Sequence, residues 1–330
     1  MGEVKLAAID LGTVSSRLLC VTMRDGVVVD SVKRTVITDL GQGVDASGLF
    51  APEAIGRVVG ACSGFVREAR AYGARLVCTT LTSAARDVSN GGELLGKLRD
   101  LGLIPQVIPG EIEARLTFYG VAHDFPGERI SVADSGGGST ELVVGSCAPA
   151  ATEGGLDLEC TRSLNIGCRR VTERFFSGMP PVDGEIEHAV AWMRPLFDEY
   201  WTGLAERPAR LIAVGGTVTT LVAMVHGLVE YDSRFVHLRD LALGQVDAAI
   251  DRMRVMDAAG IASLPGIQPK RAPVILAGAV IMRELMAAGG YERLTVSENS
   301  LLAGVIATSF EAVAHGGETV IGWSPELAEL

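Results

Sequence analysis

Val132-Ala133-Asp134-Ser135-Gly136-Gly137-Gly138-Ser139-Thr140-Glu141-Leu142-Val143-Val144-Gly145 is the stretch on which the reading of this chain turns. A β-branched run from Ile130 to Ala133 enters it and ends on an aspartate. A second apolar run leaves it, so it predicts strand, tight turn, strand. Successive glycines let backbone N–H groups turn inward around an anion, because no Cβ blocks the approach. Asp134 at the strand end suits a hydrated Mg²⁺, and Ser139 and Thr140 can donate to phosphate oxygens. Taken singly, such a turn is better explained as a β-hairpin whose glycines serve only the turn.

The pattern recurs. Ala7-Ala8-Ile9-Asp10-Leu11-Gly12-Thr13-Val14-Ser15-Ser16-Arg17 again runs apolar strand, Asp-x-Gly-x-x-Ser, strand. Asp10 matches Asp134, Gly12 matches Gly136 and Ser15 matches Ser139, which predicts equivalent turns of two related half-folds. A third small-residue turn, Val214-Gly215-Gly216-Thr217-Val218-Thr219-Thr220, follows a strand at Leu211 and opens a helix, whose N–H groups and dipole suit a phosphate. The candidate phosphate-binding residues are therefore Gly12, Thr13, Ser15, Ser16 and Arg17, then Gly136, Gly137, Gly138 and Ser139, then Gly215, Gly216 and Thr217.

The 330 residues suffice for one large domain or two ordinary ones. With 48% hydrophobic residues, 5% aromatic and 40 glycines, the make-up is that of an Ala/Val/Leu-built α/β enzyme. A net charge of −11 argues against a broad polyanion-binding surface, so nucleic acid is not expected as a partner. Phosphate must be bound locally, by a few arginines, backbone amides and a metal. The cysteines (Cys20, Cys62, Cys78, Cys147, Cys160, Cys168) form no C-x-x-C pair and sit in mostly apolar surroundings, which predicts free thiols in a reducing compartment. The start, Met1-Gly2-Glu3-Val4-Lys5, lacks signal-peptide organisation, and no apolar run reads as membrane-spanning, so a cytoplasmic protein without membrane attachment is expected.

Val4 to Leu11, Arg17 to Met23 and Val27 to Thr38 predict three strands, with Asp25-Gly26 turning between the last two. Leu40 to Ala51 predicts a loop, Pro52 to about Tyr72 an amphipathic helix, Ala74 to Thr79 a strand, and Thr82 to Asp87 the start of a helical stretch. A helix near Gly92 to Leu101, a strand from Gln106 to Ile108 and a helix from Glu111 to about His123 follow. The order then restarts with strands at Ile130 to Ala133 and Thr140 to Val144, and one or two between Ala148 and Asn165. Helices are expected around Arg169 to Phe176, from Asp183 to about Leu204, after Thr217, and at Gln245 to Asp257, Pro273 to Ala288 and Ser300 to Ala314. The remaining strands are at Leu211 and Arg293 to Val296. Two halves of similar order predict two related lobes around a cleft, with a boundary near residue 125.

Glu113, in Gly110-Glu111-Ile112-Glu113-Ala114-Arg115-Leu116, falls in the first turn of its helix. A carboxylate there can orient and deprotonate a water for attack on phosphorus. An acid in a first turn also simply favours the helix dipole, and by position alone that is the commoner case. Arg86 and Arg17 can each reach a phosphate oxygen with a planar fork, or serve as surface arginines. Glu141 can join Asp134 and Asp10 in holding Mg²⁺ through water, or be an exposed strand carboxylate. Arg169-Arg170 place two cations at a helix start, which a nearby anion would make tolerable. The histidines show no metal-ligand spacing, and the chain has no Gly-x-Ser-x-Gly elbow or Walker A sequence.

Eight motifs in order now bear on the family. They are Ala8-Ile9-Asp10-Leu11-Gly12-Thr13, Thr82-Ser83-Ala84-Ala85-Arg86-Asp87, Gly110 to Thr117, Asp134 to Leu142, Ser163 to Cys168, Val171 to Phe175, Gly215 to Thr220 and Arg271 to Gly278. Over nearly its whole length the chain resembles the exopolyphosphatase / guanosine pentaphosphate phosphohydrolase (Ppx/GppA) family. The resemblance implies an α/β fold of duplicated ribonuclease-H-like topology, the actin-like, sugar-kinase-like ATPase superfold. Residues 1–125 would form the first lobe, 126–298 the second, with the last helix, about 299–315, packing back on the first. It further implies Mg²⁺-dependent release of a terminal phosphate from inorganic polyphosphate, or of the 5′ γ-phosphate from guanosine pentaphosphate (pppGpp), by a homodimer. Mn²⁺ accepts the same hard oxygen ligands. On the family's motifs the general base falls on Glu113, the active-site arginine on Arg86, and the metal-associated carboxylates on Asp134 and Glu141. Ile112 replaces the first glutamate of the usual pair, a non-catalytic position, and Val14 replaces the usual asparagine, removing a polar contact from the first turn. The chain is expected to be a short form, without the extra C-terminal helical domain of many relatives.

Exopolyphosphatase activity with Glu113 as base is the expected function. A sugar or acyl kinase on the same superfold would need an aspartate base and an adenosine pocket, and the Glu-Ala-Arg helix speaks against it. A non-catalytic polyphosphate- or alarmone-binding protein is the remaining alternative, for which the change at Val14 speaks.

Overall fold

In the computed structural model, which describes residues 3–24, 26–148 and 155–330, the first apolar runs form β1 (Val4–Leu11), β2 (Ser15–Arg24) and β3 (Val27–Ile37), an antiparallel meander. Asp25 of the expected Asp25-Gly26 turn lies outside the described residues. A short helix, α1 (Val44–Ser47), interrupts the stretch expected as loop. α2 (Pro52–Tyr72) starts on Pro52, whose missing N–H would be unpaired at that position anyway, and stops where Gly73 takes φ 86°. β4 (Leu76–Leu81) joins β1 in parallel, and the expected helical stretch at Thr82 is the single turn α3 (Ser83–Arg86). α4 (Gly91–Asp100), β5 (Pro105–Val107) and α5 (Gly110–Ala122) complete this half.

The pattern then restarts with β6 (Ile130–Ser135), antiparallel to β7 (Thr140–Cys147), and β8 (Leu156–Leu164) beside β7. Next come α6 (Cys168–Phe175), α7 (Glu185–Thr202), β9 (Leu211–Val214) and α8 (Gly216–Val225). They are followed by α9 (Ser233–Val236), β10 (Arg239–Ala242), α10 (Leu243–Met253), α11 (Ala258–Ala262), α12 (Ala272–Gly289) and β11 (Arg293–Val296). Finally α13 (Leu301–Ala314) packs on α5 and β1, and β12 (Leu327–Glu329) pairs antiparallel with β4. α9, β10, α11 and β12 go beyond the sequence expectations. Elements of three to five residues are too short to display a period, and their pairing partners decide them.

The strand orders explain how two halves arise. One sheet runs β12-β4-β1-β2-β3, with β5 also on β4, and the other β10-β11-β9-β6-β7-β8. Setting β10 and β12 aside, β1 to β5 correspond to β6, β7, β8, β9 and β11. In each sheet the first hairpin is antiparallel and the outer strands are parallel. This is the ribonuclease-H-like topology in duplicate, the α/β architecture of actin-like ATPases.

Two compact units result, one of Met1–His123, Glu153–Leu156 and Leu301–Leu330, the other of Asp124–Thr152 and Asp157–Ser300. In the first, β1 is buried from Leu6 to Leu11 because helices cover both of its faces. Ala7, Ile9 and Leu11 pack with Ile55, Val58 and Phe65 of α2, and α13 also lies against β1. In the second, Pro269–Gly289 is long and apolar enough to cross a membrane (mean hydropathy 1.5), which the sequence reading did not anticipate. That segment is 78% buried and packs on α6, α7, α8 and α10, so its apolar surface serves as core.

Candidate active site

Parallel pairing of β1 with β4, and of β6 with β9, makes the turns after each pair leave one edge of their sheet. Ligands of open α/β sheets bind outside such carboxyl ends. After β1, Gly12 N–H donates to Ser15 O at 3.0 Å; after β6, Gly136 N–H donates to Ser139 O at 2.9 Å. The carbonyls in each turn are then tied from behind. Thr13 O accepts from Gly41 N–H, and Val14 O accepts from the N–H groups of Thr38 and Asp39. In the second turn Gly136 O accepts from Cys168 N–H, Gly137 O from the N–H groups of Arg169 and Arg170, and Gly138 O from Arg170 Nε at 2.9 Å. The N–H groups of Thr13, Val14, Gly137 and Gly138 are left with no acceptor among the described residues. Such a row of unpaired amides has the donors that an anion site needs.

A glycine permits each support. A Cβ on Gly167 would lie 2.3 Å from the Gly137 backbone, and one on Gly41 would lie 2.2 Å from Thr13 Cγ2. The Arg169-Arg170 pair thus serves the second turn from behind.

Cross-strand register places different side chains opposite the two aspartates: Asp10 faces Arg17, and Asp134 faces Glu141. Asp10 is fully buried, and its Oδ2 accepts from Arg17 Nε at 2.8 Å and Nη2 at 2.6 Å. Its Oδ1 is buried with no hydrogen-bond partner among the described residues. Ser16 is likewise turned inward, bonded to Thr38 at 2.9 Å, while Ser15 opens β2 half-buried. Asp134 and Glu141 are 6% and 2% exposed, and Ser163 Oγ donates to Glu141 Oε1 at 2.7 Å. Two adjacent carboxylates fit Mg²⁺, which keeps several waters and needs only one or two protein oxygens beside phosphate. No group of three His, Cys, Asp or Glu gathers as a metal cage among the described residues.

Glu113 sits in the first turn of α5 but is only 7% exposed. Its Oε2 accepts from Arg86 Nη1 at 2.8 Å, and the same nitrogen donates to Ile108 O at 2.9 Å. Arg86 follows β4 and Ile108 follows β5, its parallel neighbour, so the sheet edge itself assembles this pair. A buried carboxylate gripped by an arginine differs from a solvated first-turn acid.

The third turn has Gly215 at φ 96° and Thr217 buried. A Cβ on Gly215 would come 2.8 Å from Asp134 Oδ1, and one on Gly216 would come 2.0 Å from Arg271 Nη1. Asp134 and the Arg271 guanidinium therefore both press on the opening of α8, whose first N–H groups have no intrahelical acceptor. Sequence reasoning assigned no role to Arg271 or Ser163. Arg271 ends the 3₁₀ turn Pro269–Arg271. Its one local sign is a cation placed just before an apolar helix, against the dipole. Ser163, on an outer strand, gives no sign beyond its place at the head of a family motif.

The sequence model of the Ppx/GppA phosphatase family matches residues 21–312. Exopolyphosphatase 2 of Mycobacterium tuberculosis is 34% identical over 322 residues, covering 92% of this chain and 98% of that protein. A guanosine-5'-triphosphate,3'-diphosphate pyrophosphatase of Photobacterium profundum is 28% identical over 318 residues, covering 94% of this chain and 60% of that one. The crystal structure of the Aquifex aeolicus Ppx/GppA family member superimposes with a TM-score of 0.76 at 28% identity, covering 95% of this chain and 99% of that one. With the family model matching residues 21–312, which reach into both duplicated halves, the chain belongs to the Ppx/GppA phosphatase family and is a phosphoanhydride hydrolase.

Proposed function

We propose that this phosphatase is an exopolyphosphatase, releasing terminal orthophosphate from inorganic polyphosphate by in-line attack of water with Glu113 as general base. The observation that carries the proposal is the buried Glu113–Arg86 pair, in the same unit as a turn with unpaired amides. The 34% identity to a protein named as an exopolyphosphatase supports the substrate. In the first unit the N–H groups of Thr13 and Val14 are donors for phosphate oxygens, and in the second unit those of Gly137 and Gly138, with the start of α8 at Gly216 and Thr217, are donors of the same kind. Arg86 fixes one oxygen of Glu113. Glu113 accepts a proton from the attacking water as the P–O bond to the penultimate phosphate breaks, and the electron pair leaves on the shortened polyphosphate. Asp134 and Glu141 would hold Mg²⁺, which when bound offsets charge on phosphate oxygens. Positioning and electrostatics supply most of the rate in phosphoryl transfer, so Arg86 should matter as much as the base. Val14 does not undermine this scheme. Its side chain is buried at 5% exposure, and the turn works through its backbone N–H and its tethered carbonyl.

The test is phosphate release with Mg²⁺ from short-chain polyphosphate, long-chain polyphosphate, guanosine pentaphosphate and ATP, with Glu113→Gln alongside. Release from polyphosphate is expected, falling by about 100- to 10,000-fold in the variant while the fold is retained. Release from guanosine pentaphosphate alone would replace the substrate and keep the base. No release from any of them, with binding intact, would make the chain a phosphate sensor instead.

A further inference from the structure

We propose that Ser163 is a positioning residue for the divalent cation, given the metal-holding role proposed for Asp134 and Glu141. Its hydroxyl pins the Glu141 carboxylate and so sets how tightly that strand end holds the ion. β6, β7 and β8 are neighbours in that order. Asp134 of β6 faces Glu141 of β7 in register, and Ser163 of β8 reaches Glu141 from the next strand, its Oγ donating to Oε1 at 2.7 Å. The result is a row across three strands: carboxylate, carboxylate, hydroxyl.

Two carboxylates opposite one another repel, and a glutamate is long enough to swing away. A charge-assisted hydrogen bond from a hydroxyl on a well-anchored stretch opposes that swing. The anchoring is visible on both sides of the pair. Thr140, next to Glu141, donates from Oγ1 to Ile166 O at 2.6 Å, and the N–H groups of Cys168, Arg169 and Arg170 hold the carbonyls of Gly136 and Gly137. Ser163 thus opens a continuous run, through Arg170, that braces the second turn from its first glycine to Glu141. Glu141 is 2% exposed, so side-chain donors do there what solvent does at a surface.

The duplicated fold contains its own control. In the first unit the corresponding row is Asp10, Arg17 and Thr35, because Arg17 pairs with Asp10 on one side and with Thr35 on the other. There the middle residue is a cation that Asp10 neutralises, and the exposed Thr35 side chain makes no hydrogen bond among the described residues. A hydroxyl is engaged on the third strand only where the row carries a second carboxylate. That is the pattern of a residue that serves the carboxylates, since strand pairing alone would ask the same of both rows.

Mn²⁺ titrated into the full chain, followed by its electron paramagnetic resonance signal, reads the site without turnover. The wild type should bind the ion, and Glu141→Gln should lose most of that affinity. Ser163→Ala should raise the Kd by about 10- to 100-fold, the usual range for a residue that orients a ligating carboxylate. Ser163→Thr keeps the hydroxyl on a side chain suited to a strand and should restore binding, while Thr35→Ala should leave it unchanged. In phosphate release, Ser163→Ala should regain the wild-type kcat at saturating Mg²⁺, which a misdocked strand would not do. Wild-type affinity in Ser163→Ala beside a weakened Glu141→Gln overturns the role of Ser163 and leaves the metal-holding carboxylates in place. Mn²⁺ binding that is absent, or untouched by Glu141→Gln, overturns the metal role of the carboxylates and that of Ser163 with it.

Discussion

After β1 and after β6 the chain makes the same turn, closed by the same amide-to-carbonyl bond and supported from beneath through a glycine, Gly41 in one unit and Gly167 in the other. Across the strand the two part company. Asp10 meets Arg17, a buried ion pair that cancels its own charge, whereas Asp134 meets Glu141, and two carboxylates are concentrated at one strand end. Duplication thus furnished one turn with free amides twice, and a single cross-strand residue decided which side-chain charge stands beside each copy. The first turn offers amides beside the Glu113–Arg86 pair; the second offers amides beside oxygens suited to a divalent cation. The lesson is that backbone equivalence does not carry chemical equivalence, because the register partner sets the local charge.

The sharpest way to break this comparison is to exchange the two partners' roles. Arg17→Met strands the buried Asp10 carboxylate and should cost about 3–5 kcal/mol of stability in a denaturant titration. Its Mg²⁺ dependence should stay as in the wild type. Glu141→Gln should do the reverse, raising the Mg²⁺ concentration for half-maximal activity by about 10- to 100-fold with little change in stability. A metal shift in Arg17→Met would show that the first turn also serves the cation.

A smaller effect separates the two supports. In Gly167→Ala the new Cβ meets backbone, which can yield only by moving the turn itself, and kcat/KM should fall by about 100-fold. In Gly41→Ala it meets the end of the Thr13 side chain, which can rotate away, so steady-state kinetics should register a much milder loss. Equal losses would mean that the two turns are strained alike.

The smallest effect concerns the interiors. Burial pushes the Cys62 and Cys78 thiols up to about 12 and the Cys20 thiol up to about 11, all in the first unit, while Cys147 and Cys160 of the second are half-buried. The folded state keeps protons that the unfolded chain releases near the ordinary thiol value of about 8.5. The contribution of these thiols to stability is therefore full below that pH and declines as pH rises towards about 12. Melting curves across the alkaline range should fall accordingly and flatten in Cys62→Ala. Native-state alkylation at neutral pH should label Cys147 and Cys160 and spare the four buried thiols, Cys20, Cys62, Cys78 and Cys168.

By itself the sequence determined the strands around each turn, because β-branched runs flanking Asp-x-Gly-x-x-Ser specify both the period and the break. It also determined the start of α2 at Pro52, the helix opening at Gly215 and Gly216, and the place of Glu113 in a first turn. The family followed from those same short motifs in order. What the tertiary structure decided was which side chains those turns actually present. Read locally, Arg17 and Ser16 belong to a phosphate loop; in the sheet, a period of two lays Arg17 over Asp10 and Ser16 against Thr38. Arg271 reaches Gly216, Ser163 reaches Glu141, and β12 reaches β4 only because distant segments share a sheet or a helix face. A local window records propensity and face, whereas the energy that selects a partner comes from pairing and packing across the whole fold.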